Sequence, residues 1–153
     1  MEFRLHVLLK PAVAAYLALG LTGCATGLTK EVITTKEAPA AIGPYSQAIK
    51  FGNLLFLAGQ IAINPKTNQL NTGSIEEQTT LVLENLKAVL AANGMAMEEV
   101  VSTSVFLKDL NDFAKLHAIY GTYFKDKPPA RATVQVARLP RDVLVEISAI
   151  AAK

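Results

Sequence analysis

The run Val143-Leu144-Val145-Glu146-Ile147-Ser148-Ala149-Ile150-Ala151, close to the end of the chain, constrains the fold more than any other stretch. β-Branched and small apolar residues fill it, so it reads as a strand, whose side chains point alternately to opposite faces. Val143, Val145, Ile147 and Ala149 line one face, and Leu144, Ile150 and the interrupting Glu146 and Ser148 line the other. Both faces are largely apolar, so the sheet that holds this strand needs a cover on each side.

The preceding residues supply one cover. A short strand begins at Lys30, and the prolines and glycine of Ala38–Tyr45 then impose an irregular loop. Ser46–Phe51 and Leu54–Ile61 read as strands joined at Gly52-Asn53, followed by a turn at Asn64–Asn68. Ser74 and Glu77 form a capping box, and Ile75, Val82, Leu86, Val89 and Leu90 recur at helical spacing, which predicts a helix over 74–93. Val100–Leu107 is a strand, and Asn111–Phe124 is a second helix capped by Asp109 or Asn111. After the loop Lys125–Pro129 come strands at Arg131–Val136 and Val143–Ala151. The order β, β, β, α, β, α, β, β predicts an α+β sandwich, a mixed sheet with both helices on one face. The other face is most economically covered by further copies of the chain, so a homo-oligomer is expected.

With 153 residues, 51% of them hydrophobic, the chain is sized for one domain. Fifteen Lys and Arg against 13 Asp and Glu, interspersed, leave a net charge of +2 and no basic stripe, so no nucleic-acid partner is expected. The one cysteine, Cys24, excludes a disulfide framework and any cysteine-rich metal site.

Residues 1–23 have the form of a signal peptide: Arg4 and Lys10 in a basic start, then the apolar run Pro11–Leu21. That run is shorter than the roughly 20 residues of a membrane span. Leu21-Thr22-Gly23-Cys24 resembles the lipobox of bacterial lipoproteins, which implies lipidation at Cys24. Export follows, with residues 24–29 as a tether between a periplasm-facing membrane and a domain over 30–153. A leader that does not function would leave the protein in the cytoplasm.

Two charges interrupt the last strands. Arg131 can offer its fork to a carboxylate, or form an ordinary ion pair. Glu146, among Leu144, Val145 and Ile147, is either paired with Arg131 or Arg138 or is a general base with a raised pKa. Tyr45, held by Gly43-Pro44, is a rigid aromatic suited to packing or to a ligand, and Gly59-Gln60 suggests a close backbone approach. His117 has no second ligand at metal spacing and reads as a surface or core histidine, and no serine stands in a triad pattern.

Pro129-Ala130-Arg131-Ala132-Thr133-Val134, Val136-Ala137-Arg138-Leu139-Pro140 and Val145-Glu146-Ile147 resemble the signature of the RidA family (YjgF/YER057c/UK114), the reactive enamine/imine deaminases. Ala38–Tyr45, Gly59-Gln60-Ile61 with Asn64-Pro65, and Val105–Phe113 are similar to the same family, in the same order, over about Thr29 to Lys153. The resemblance implies a chorismate-mutase-like fold and a homotrimer with sites between subunits. It also implies hydrolysis of 2-imino and 2-enamino acids, such as 2-iminobutanoate and 2-iminopropanoate, to 2-oxo acids and ammonia. No metal or cofactor is implied. Arg131 would clamp the substrate carboxylate and Glu146 would activate water. Tyr45 and Asn111 would wall the pocket, and the backbone at Gly59 and Thr133 would meet the reacting atoms. The chain departs from the family at Thr133, where many relatives carry cysteine, and at Ala58, where serine is common. The alternative is a non-catalytic trimer that binds small carboxylates or acts as a chaperone-like module.

Overall fold

The structure, a computed structural model, describes residues 28–153. The leader, the lipobox and Cys24 lie outside the described residues. No described helix is long and apolar enough to cross a membrane.

Six strands and two helices form in the expected order: β1 (Lys30–Ile33), β2 (Ala48–Phe51), β3 (Leu54–Gln60), α1 (Ile75–Ala92), β4 (Val100–Leu107), α2 (Phe113–Tyr123), β5 (Ala130–Gln135) and β6 (Val145–Ala152). They make one mixed sheet, β1-β2-β3-β6-β4-β5, in which only β4 and β5 are parallel. The last strand starts two residues later than Val143, because Pro140–Asp142 forms a 3₁₀ turn first. In that turn Arg141 and Asp142 both take φ 55°, a left-handed conformation that costs a side-chain-bearing residue roughly 1–2 kcal/mol.

α1 begins as expected. Ser74 Oγ accepts from Glu77 N, and Glu77 Oε2 accepts from Ser74 N at 2.9 Å. Its inner face buries Ile75, Val82, Leu83, Leu86, Val89 and Leu90 against the sheet. Val145, Ile147, Ala149 and Ala151 of β6 meet these residues, together with Val105 and Leu107 of β4 and Leu55 and Leu57 of β3. Fully burying one such leucine or valine is worth about 1.5–3 kcal/mol, so this layer carries the fold.

The opposite face has no cover within the chain. Val32 is 58% exposed there, Phe51 and Phe56 are each 41% exposed, and Val134 is 46% exposed. Strand register places them on one surface with Ile150, since Val32 pairs with Ile49, Phe51 with Leu54, and Phe56 with Ile150. Exposed aromatic and β-branched side chains thus leave an apolar surface on that side of the described sheet.

Candidate active site

A cleft of about 370 Å³ opens at the end of β3, between the loop before β2 and the turn before β6. Pro39, Ile42, Tyr45, Ala58, Ile61, Ile63 and Pro140 give it apolar walls, and Glu146 is its one charged group.

Alternation along β6 explains where Glu146 points. Its neighbours Val145 and Ile147 go into the core, so Glu146 emerges on the uncovered face beside β3. It has no ion pair among the described residues, which excludes the structural pairing with Arg131 or Arg138. Burial, with no compensating cation, pushes its carboxyl above the ordinary glutamate range. Arg138 instead grips Asp142 bidentately, at 2.8 and 3.0 Å, across the turn that presents Pro140.

Gly59 lies directly against the Glu146 side chain. A Cβ placed on Gly59 would stand 2.9 Å from the Glu146 carboxyl carbon and 3.1 Å from Cγ, and still nearer Oε1. Only glycine lets the carboxylate lie on the backbone of β3. Tyr45 is exposed at the cleft mouth, so it is not core packing, and its hydroxyl accepts from Ile42 N at 3.3 Å.

Arg131, Thr133 and Asn111 are elsewhere. Arg131 pairs across β4 with Thr103, whereas Glu146 pairs with Phe106. Those positions differ by three residues and so face opposite sides of the sheet. Two strand spacings across and three residues along separate the two Cα atoms by about 14 Å. Arg131 lies on the helix side, its guanidinium 4.7 Å from the Tyr120 ring centroid and 5.4 Å from that of Phe113. It has no carboxylate partner among the described residues. Thr133 follows on the same face of β5, its Oγ1 buried without a hydrogen bond. Asn111 sits in the exposed 3₁₀ turn just before α2, where Asp109 Oδ1 accepts from its backbone N at 2.8 Å. The six residues therefore fall into two separate groups: Tyr45, Gly59 and Glu146 at the cleft, and Arg131, Thr133 and Asn111 at the β5 edge.

Three buried amides shape the cleft and went unread in the sequence. Gln47 donates to Thr35 O, Ala38 O and Pro39 O and accepts from Thr35 N, pinning the cleft's entry loop. Asn85, on α1, donates to Ile61 O and Ile63 O. Gln78 Oε1 accepts from Leu144 N at 2.9 Å, fixing the approach to Glu146. The available signal was an amide interrupting an apolar period, as Gln78 and Asn85 do in α1.

The described residues thus form an α+β sandwich with one bare sheet face, a cleft that carries one acid, and a separate arginine packed over two aromatic rings. The sequence model of the family described as Endoribonuclease L-PSP matches residues 35–153. A RutC family protein of Pyrococcus horikoshii is 57% identical over 124 residues, 81% of this chain and 98% of that one. Reactive Intermediate Deaminase A, chloroplastic, of Arabidopsis thaliana is 46% identical over 131 residues, 86% of this chain and 70% of that one. Among solved structures, E. coli TdcF with bound serine superposes with a TM-score of 0.78 at 41% identity, covering 80% and 98% of the two chains. The chain belongs to the RidA (YjgF, endoribonuclease L-PSP) family.

Proposed function

We propose that this protein is a homotrimeric deaminase that hydrolyses reactive 2-imino acids, and their 2-enamino tautomers, to 2-oxo acids and ammonia. One observation carries the reading: the uncompensated carboxylate and the uncompensated guanidinium lie on opposite faces of the sheet. Packing the bare face of one copy against another joins Glu146 of one subunit to Arg131 of its neighbour, and covers the apolar surface in the same step. A relative named as a reactive intermediate deaminase and a neighbour that binds serine, a small carboxylate, support it.

The chemistry needs little. Arg131 holds the substrate carboxylate through paired N–H donors. Glu146 takes a proton from water as its oxygen attacks C2, and the C=N bond becomes a carbinolamine C–N bond. Glu146 hands that proton to nitrogen and then relays the carbinolamine O–H proton to the amine as the C=O bond forms and the C–N bond breaks, so ammonia leaves and the 2-oxo acid remains. Tyr45 and the apolar walls exclude bulk water. A module that only bound carboxylates would gain nothing from a second negative charge beside its ligand, which favours the enzyme. Interspersed charge with a net of +2 favours a small anion over a phosphate backbone.

The test generates 2-aminoacrylate in situ with a serine dehydratase and follows pyruvate release. Wild type accelerates release over the spontaneous rate, and Arg131→Ala and Glu146→Gln do not. Coexpressed one to one, the two variants regain about a quarter of wild-type activity, because three quarters of the trimers are mixed and each mixed trimer rebuilds one site in three. No acceleration by wild type sinks the deaminase; no recovery on mixing sinks the shared site.

For residues 1–24 the proposal is export and lipidation at Cys24, supported by the basic start, the apolar run and the lipobox. Residues 25–29 span at most about 17 Å, so a trimer on three tethers would sit close to the membrane. Cys24→Ala then leaves the membrane fraction, and retention there would refute the tether.

A further inference from the structure

Arg131 is held by one face of one helix. Phe113, His117 and Tyr120 are spaced four and three residues apart on α2, so their side chains share that face. Tyr120 is fixed from β4 by a buried 2.8 Å hydrogen bond between its hydroxyl and Thr103 Oγ1. The Phe113 ring lies nearly parallel to the His117 ring, 7° apart with centroids at 5.8 Å. The Tyr120 and Phe113 rings attract the guanidinium, but neither accepts one of its N–H groups, so they restrain its position and leave its rotation free. His117 supplies the missing restraint: its Nδ1 lies 3.4 Å from Arg131 Nη2 and is the one hydrogen-bond partner of the Arg131 guanidinium among the described residues.

We infer that His117 is a positioning residue that sets the rotation of the Arg131 guanidinium, and so decides how well the protein grips a small 2-oxo or 2-imino carboxylate. Neutral imidazole accepts one N–H through Nδ1 and carries its own proton on Nε2. With that N–H engaged, the guanidinium keeps donors that have no partner among the described residues, and a carboxylate can take two in parallel. The inference rests on Arg131 being the carboxylate clamp. It adds a residue that touches neither substrate nor reacting atoms.

A 2-oxo acid separates grip from chemistry, since it carries the same carboxylate on the same planar carbon and is not hydrolysed. Binding of 2-oxobutanoate to the intact oligomer is measured calorimetrically for wild type, Arg131→Ala, His117→Leu and His117→Asn. His117→Leu, which keeps bulk and removes the acceptor, weakens binding about fivefold, the worth of one hydrogen bond. His117→Asn, whose side-chain oxygen accepts, restores affinity to within about twofold. In imine hydrolysis His117→Leu raises KM and leaves kcat within about twofold, the pattern of lost uniform binding. The role is overturned if His117→Leu binds 2-oxobutanoate as wild type does while Arg131→Ala does not bind, or if asparagine fails to rescue. If wild type binds 2-oxobutanoate through Arg131 and His117 yet hydrolyses no imine, the deaminase reading falls and the positioning role stands.

Discussion

Gly59→Ala separates the catalytic reading from a structural one. Gly59 is outside the left-handed region, so alanine adopts its backbone without strain. Replacing a strand glycine by alanine then contributes about 0.5 kcal/mol or more in favour of the folded state. The atoms nearest the new methyl all belong to the Glu146 side chain. The carboxyl carbon, 2.9 Å away, must retreat to at least 3.4 Å for an ordinary contact, and Oε1 must move further. Glu146 can swing toward the open cleft, so the melting temperature holds or rises slightly. The basic oxygen, however, is displaced by about 1 Å or more, which costs on the order of a hundredfold in kcat. The assay pairs initial rates of pyruvate release from in situ 2-aminoacrylate with thermal unfolding of the same preparations. A variant that is stable and keeps kcat within about threefold of wild type would refute Glu146 as a precisely placed base.

Four further outcomes follow from the same geometry. If Glu146 is the base, it works only when ionised, and its burial in the single chain raises its pKa from the ordinary 4.5, so activity falls in acid, as a pH–rate profile will record. Because the folded state holds that proton more tightly than the unfolded one, the carboxylate costs stability once pH rises through its folded pKa. Glu146→Gln therefore melts no lower than wild type at pH 7, and its advantage shrinks in acid. Phe56→Glu puts a charge in the centre of the bare sheet face, so light scattering reports monomers and activity disappears; an active, intact oligomer would exclude that face as the interface. Gln47→Ala strips a 4%-exposed side chain of four backbone hydrogen bonds and costs about 2–4 kcal/mol by chemical denaturation, with a raised KM from a loosened entry loop.

Much of the fold was legible because its signals are local. The capping box at Ser74 and Glu77, the hairpin at Gly52-Asn53 and the β-branched run of β4 each depend on a few consecutive residues, and each formed where expected. The inward face of β6 followed from alternation alone. The late start of β6 was hidden because its residues Val143 and Leu144 look like strand, while the preceding turn, with Arg141 and Asp142 left-handed, is stabilised by Arg138 reaching across it. Gln47 and Asn85 were unread because their partners are backbone carbonyls 8 to 24 residues away.

By itself, the amino-acid sequence determined which residue types were available for chemistry: an arginine and a glutamate in apolar strands, and a glycine at a strand end. It also determined that one face of the sheet would lack a cover. Only the tertiary structure decided that Arg131 and Glu146 point to opposite sides of the sheet, where one chain cannot join them. The reason is register. Alternation within β5 or β6 is a local property, but their relative facing depends on Thr103 and Phe106 of the strand between them, a pairing made across the whole core.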